Sequence, residues 1–117
     1  GAAILINRLF NDSLVSNENQ QFITRTLQEC KTGNDRIAAP LLKEPGVMIA
    51  HKTGSGYTTA EGVLMAHNDV AYITLPDGTS YSLAVFVKDF KGNESEAAAA
   101  IAHISQTVYS AIKCHKR

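Results

Sequence analysis

Two periodicities divide the chain. In residues 2–10, AAILINRLF, the apolar residues Ile4, Leu5 and Leu9 recur at helical spacing beside two strongly helix-forming alanines, which predicts a first helix. Asn11, Asp12 and Ser13 form a turn cluster. Ser16 then suits the N-cap of a second helix over about residues 17–31, with Glu18 in its first turn and Phe22, Ile23, Thr26, Leu27 and Cys30 as its buried face. Gly33 is placed to cap its C-terminus. A connector follows, with one helical turn expected before Pro40 and a turn at Pro45-Gly46.

The period then shortens. VMIAHKT (47–53) reads as a strand. EGVLMA (61–66) and VAYITL (70–75) read as one long strand interrupted near His67-Asn68-Asp69, and YSLAVFVKD (81–89) as a third. Pro76-Asp77-Gly78 between the last two predicts a hairpin, Asp-Gly suiting a type I′ turn. Alternation is imperfect, so both sheet faces are expected to be largely covered. Gly92-Asn93 ends the sheet. A last helix is predicted over about 94–113, with Ala97, Ile101, Ile104, Val108 and Ile112 on one stripe. Glu94 and Glu96 at its start, and Lys113, His115, Lys116 and Arg117 at or beyond its end, match the helix dipole. Helix, helix, three antiparallel strands and helix make an α+β fold with helices packed on one sheet.

Composition adds exclusions. The 117 residues suffice for one domain at most, 44% hydrophobic and 19% charged, with a formal net charge of zero. No charge surplus points to nucleic acid. No run of 18 apolar residues predicts a membrane span, and no signal peptide is visible. Cys30 and Cys114 are too few for a disulfide framework; they are read as two unpaired thiols, with a pair between them as the alternative. The first helix has no capping residue before it, so the chain is expected to begin inside a longer domain.

The candidate chemistry sits in AHKTGSGY (50–57). Lys52-Thr53-Gly54 closes an apolar strand and continues as Ser55-Gly56, joining a cation, hydroxyls and bare backbone. Lys31-Thr32-Gly33 spells the same letters but is read as a helix end. His51 is expected on the face opposite Lys52. The histidines show no metal-ligand spacing, and Cys114-His115 alone cannot hold a zinc. Asn68-Asp69 suggests a bulge or a hydrogen-bonding role. Ser110-Ala111-Ile112-Lys113 matches S-x-x-K, yet lies late in the last helix, with Ile112 on the core stripe and Ser110 and Lys113 turned to solvent.

K-T-G is one of three signatures of class A β-lactamases and penicillin-binding proteins, beside S-x-x-K and S-D-N. HKTGSG, HNDVAYITLPDG, LAVFVKD, the closing helix and TLQECKTGNDRIAAPLL together resemble the C-terminal part of a class A serine β-lactamase. They are most similar to the CfxA/PER-like cephalosporinase branch. The resemblance covers essentially the whole chain and implies a single partial domain (1–117) of the β-lactamase/transpeptidase-like fold. It implies that Lys52 places positive charge near the nucleophile and the substrate carboxylate. Thr53 would bind that carboxylate, and Gly54 would keep the strand edge clear. Ser55 would supply an oxyanion-hole N–H, with its hydroxyl also near the carboxylate. Arg36 resembles an extra carboxylate anchor; a surface arginine at a helix end is the alternative. SGYTTAEGVLMAH (55–67) fits a lengthened connection that widens the site for bulky cephalosporins.

The resemblance further implies a small-molecule β-lactam substrate, no cofactor, and a periplasmic or secreted location. S-D-N and the deacylating glutamate do not occur here, and the nucleophile is expected upstream. The chain alone is therefore expected to be inactive. Its partner would be the missing N-terminal half of the domain or another copy, through an exposed sheet edge. A fragment of a penicillin-binding transpeptidase, or an inert self-associating piece, are the alternatives.

Overall fold

Three consecutive antiparallel strands form the centre of the computed structural model: β1 (Met48–Ser55), β2 (Val63–Thr74) and β3 (Ser80–Lys91), in the order β1-β2-β3. Before them come α1 (Ala2–Asn11), α2 (Asn17–Gln28) and a 3-10 turn (Ala39–Leu41); after them comes α3 (Glu94–His115). The structure describes residues 1–115. Lys116 and Arg117, assigned above to the end of the last helix, lie outside the described residues.

The sheet is covered on both faces. One face sends Ala71, Ile73, Leu75 and Val85 against Ile37, Leu41, Ile101 and Tyr109. The other packs Ala50 and Tyr72 against Ile6, with Phe10 stacked on the Tyr72 ring at 4.3 Å. Thus β2, packed on both sides, is apolar over Val63–Ala66 and Val70–Ile73, with His67, Asn68 and Asp69 between.

Several local expectations are corrected. Strand β2 runs unbroken through His67, Asn68 and Asp69, all three in register with both neighbours, so there is no interruption and no bulge there. Helix α2 ends at Gln28, so Gly33 does not cap it. Nor does α2 bury a face: Phe22 is 63% exposed, Thr26 is exposed, and Ile23, Leu27 and Cys30 are half-buried. In α1, Ile4 and Leu5 point outward and Ile6 faces the sheet. In α3 the buried stripe is Ala97, Ala98, Ile101, Ser105 and Tyr109; Ile104 is exposed. Ser105 holds the core position because its hydroxyl donates to Ile37 O at 2.7 Å, so burial leaves it no unpaired donor. At 76–78 only Gly78 has positive φ, which excludes type I′. The bonds Gly78 N–H to Leu75 O and Leu75 N–H to Thr79 O close a three-residue loop instead.

Ser16 caps α2 as expected, accepting from Asn19 N–H. At the start of α3, Asn93 Oδ1 accepts from Glu96 N–H at 2.8 Å, and Glu96 Oε1 accepts from Asn93 N–H. Both cysteines are free thiols. Ser110 and Lys113 are exposed: the hydroxyl accepts from Gln106 and the ammonium lies 5.2 Å from the Tyr109 ring centroid.

Candidate active site

β1 is an edge strand: β2 pairs with one side of it, and no described strand pairs with the other. Gly56 N–H donates to Ala66 O at 2.8 Å. Alternate residues of an antiparallel strand direct their N–H groups to opposite sides, so the Ser55 N–H is turned to the open edge. Lys52 reaches the same edge, its Nζ donating to Thr53 O at 2.7 Å. The Lys52 side chain is exposed, whereas His51, on the opposite face, is 2% exposed. A Cβ built on Gly54 meets no atom within 4 Å, so the chain's own packing does not demand glycine there.

Thr53 and Ser55 share a face with Arg36. The guanidinium is nearly buried and donates from Nη2 to Ser55 Oγ at 2.8 Å and from Nη1 to Asn68 O at 2.7 Å. Arg36 is therefore no surface arginine. The structure brings Arg36, Thr53 and Ser55 together on one face of β1, with Lys52 and Gly54 on the other.

Residues 32–33 and 67–69 support this face. Thr32 Oγ1 lies 3.5 Å from Thr53 Oγ1, and Gly33, at φ 73°, leaves the space that the Thr53 methyl fills. The first Lys-Thr-Gly is thus packed beneath the second. Behind them, Ser55 pairs with His67 and Thr53 with Asp69 across the β1–β2 register. His67 and Asp69 are fully buried. Asp69 Oδ2 accepts from Ile37 N–H at 3.1 Å, and Asn68 Oδ1 from Val87 N–H at 3.1 Å, which is the hydrogen-bonding role expected of this pair. Polar residues at alternate positions of a strand that continues as Ala71 and Ile73 were the available signal. Burial, and secondarily the charge of Arg36, push His67 below its ordinary value; Glu94, Asp35 and Asp69 oppose this.

The 55–67 connection is a hairpin. Only residues 56–62 lie outside the strands, and Thr59 N–H to Val63 O and Met65 N–H to Tyr57 O continue the ladder into them. Tyr57 at its flank is 71% exposed.

A family model for the β-lactamase enzyme family matches residues 1–112. A β-lactamase of Phocaeicola vulgatus is 67% identical over 110 residues, 94% of this chain and 34% of that protein. The extended-spectrum β-lactamase PER-1 of Pseudomonas aeruginosa is 35% identical over 109 residues, 93% of this chain and 34% of that protein. The crystal structure of a class A β-lactamase from Bacteroides cellulosilyticus superposes with a TM-score of 0.87 at 34% identity, covering 94% of this chain and 39% of that one. The chain spans about a third of the length of the curated relatives it matches. Its helices, its three-stranded sheet and its sequence place it in the β-lactamase enzyme family, with the class A fold.

Proposed function

We propose that this chain supplies the carboxylate-binding and oxyanion wall of a class A serine β-lactamase and does not hydrolyse β-lactams by itself. The observation that carries this reading is the Arg36 guanidinium, held against Ser55 Oγ beneath an open strand edge that also presents Lys52. A guanidinium fixed by Asn68 O and Ser55 Oγ is a cation placed to meet a bound carboxylate. In this reading Arg36 and Thr53 bind the substrate carboxylate, Lys52 supplies local positive charge, and Ser55 N–H stabilises the developing oxyanion. Gly54 leaves the edge clear, and the 56–62 hairpin borders a site wide enough for cephalosporin side chains. The nucleophile and the deacylating glutamate come from sequence upstream, and the whole protein acts in the periplasm or outside the cell. No described helix is long and apolar enough to cross a membrane.

The test compares the complete protein with the 117-residue chain on a chromogenic cephalosporin. The complete protein is expected to turn it over and the chain alone is not. In the complete protein Arg36→Ala and Thr53→Val are expected to raise KM about tenfold, the cost of a hydrogen bond to a charged group. Turnover by the 117-residue chain, or unchanged KM in both variants, refutes the reading.

One observation supports a companion role as a docking body. Ile4, Leu5 and Phe86 are each more than 60% exposed, on α1 and on the sheet face that α1 covers. The occupant proposed is the rest of the domain, with self-association as the outcome when that part is missing. The transpeptidase alternative draws no support from the relatives, which are named as β-lactamases.

A further inference from the structure

Asp69 is a fully buried carboxyl group, and such burial is costly unless something offsets it. Its own hydrogen bond goes to the backbone: Oδ2 accepts from Ile37 N–H at 3.1 Å. Oδ1 lies 3.6 Å from His51 Nδ1, beyond hydrogen-bond length, and has no hydrogen-bond partner among the described residues. The carboxyl group therefore neither faces solvent nor completes a short side-chain ion pair.

The connectivity shows what it holds. Ile37 follows Arg36, and Asp69 follows Asn68. Arg36 Nη1 donates to Asn68 O while Ile37 N–H donates to Asp69 Oδ2, so two adjacent residues of the turn at 34–38 are fixed to two adjacent residues of β2. Ser105 Oγ adds a third point from α3 by donating to Ile37 O. A segment held at backbone N–H, backbone O and one guanidinium nitrogen has little freedom left. Of the other two nitrogens, Nη2 donates to Ser55 Oγ, and Nε is buried without a hydrogen bond, 3.8 Å from Asp35 Oδ1. On the other side of the sheet ladder Asp69 is the register partner of Thr53. Asp69 is thus linked through the Ile37 backbone to Arg36, which the proposed function assigns to the substrate carboxylate, without hydrogen-bonding the guanidinium itself.

We propose that Asp69 is a positioning residue for substrate recognition: it fixes the Arg36–Ile37 backbone to β2 and so sets the angle and depth of the Arg36 guanidinium beside Ser55. This rests on the reading of Arg36 as a carboxylate anchor, and it identifies the group that makes the anchor rigid. Rigidity matters because a bidentate fork confers specificity only when its plane is fixed.

The experiment uses the complete protein. Asp69→Ala is expected to raise KM for a carboxylate-bearing cephalosporin about tenfold while kcat stays within about threefold. Asp69→Asn keeps an oxygen acceptor for Ile37 N–H and is expected to recover most of the loss. In an Arg36→Ala background the Asp69→Ala penalty on KM is expected to vanish, because its route to substrate is gone. If Asp69→Ala does not fold, Asp69→Ser, too short to reach Ile37 N–H, takes its place in the cycle. An equal penalty with and without Arg36, or a fall in melting temperature with KM unchanged, overturns the proposal. A second arm is independent of turnover: 15N NMR of the Arg36 side chain is expected to show hindered guanidinium rotation in the wild type and free rotation in the Asp69→Ala or Asp69→Ser protein. Hindered rotation in both overturns it. If the wild-type protein hydrolyses no β-lactam, the functional reading fails while this arm still decides the positioning role.

Discussion

Gly33 shows how one missing side chain shapes the wall. Its φ of 73° favours glycine, and a Cβ at that place overlaps the Thr53 methyl. Gly33→Ala is therefore expected to cost about 1–2 kcal/mol in backbone strain and to displace Thr53. Chemical denaturation reads the first effect, and a rise in KM of the complete protein reads the second. A stability equal to wild type would show that the turn relaxes freely. His67 makes a pH prediction. Burial and then the Arg36 charge hold it below its ordinary value of 6.5, so the folded chain binds its proton less readily than the unfolded chain. Its contribution is fully present above pH 6.5 and is lost as pH falls below that value. Melting temperatures at pH 8 and pH 5.5 are expected to differ more in the wild type than in His67→Phe. Equal differences in the two proteins would remove His67 as a source.

At the scale of elements, the sequence pattern located the three helices and the three strands, with stop signals at Asn11, Gly46, Gly78 and Gly92. It failed where polar and apolar residues exchange roles. Ile104 was assigned to the core and Ser105 was not; hydrophobicity cannot show that a serine hydroxyl has Ile37 O waiting for it. His67 to Asp69 looked like a break because polar residues rarely fill a central strand, yet they stay in register by bonding to Ile37 and Val87. The Asn93–Glu96 cap of α3 follows from the same reciprocal logic that the sequence does display. Asn93→Ala is expected to cost about 1 kcal/mol, measured as a lower urea midpoint at unchanged slope. An unchanged midpoint would mean that packing alone holds the helix start.

For the whole molecule, the Lys52-Thr53-Gly54 strand was legible because three residue types must occur together at a strand end. Arg36 and the hydrogen-bonding role of Asn68-Asp69 were legible as well; the packing of Thr32 and Gly33 against Thr53 was not, because those residues are distant in sequence and read as a helix end. The exposed apolar residues Ile4, Leu5 and Phe22 fell on the apolar pattern of their helices, since periodicity shows which face is apolar and not whether this chain is what covers it.

The clamp between residues 36–37 and 68–69 also dictates an order of events during folding. It closes a separation of 32 residues in sequence. The β1–β2 and β2–β3 hairpins need only short connections and can zip locally. The Arg36 turn gains its partners only after β2 exists. During synthesis, then, the first helices and residues 36–37 leave the ribosome before the strand that will hold them.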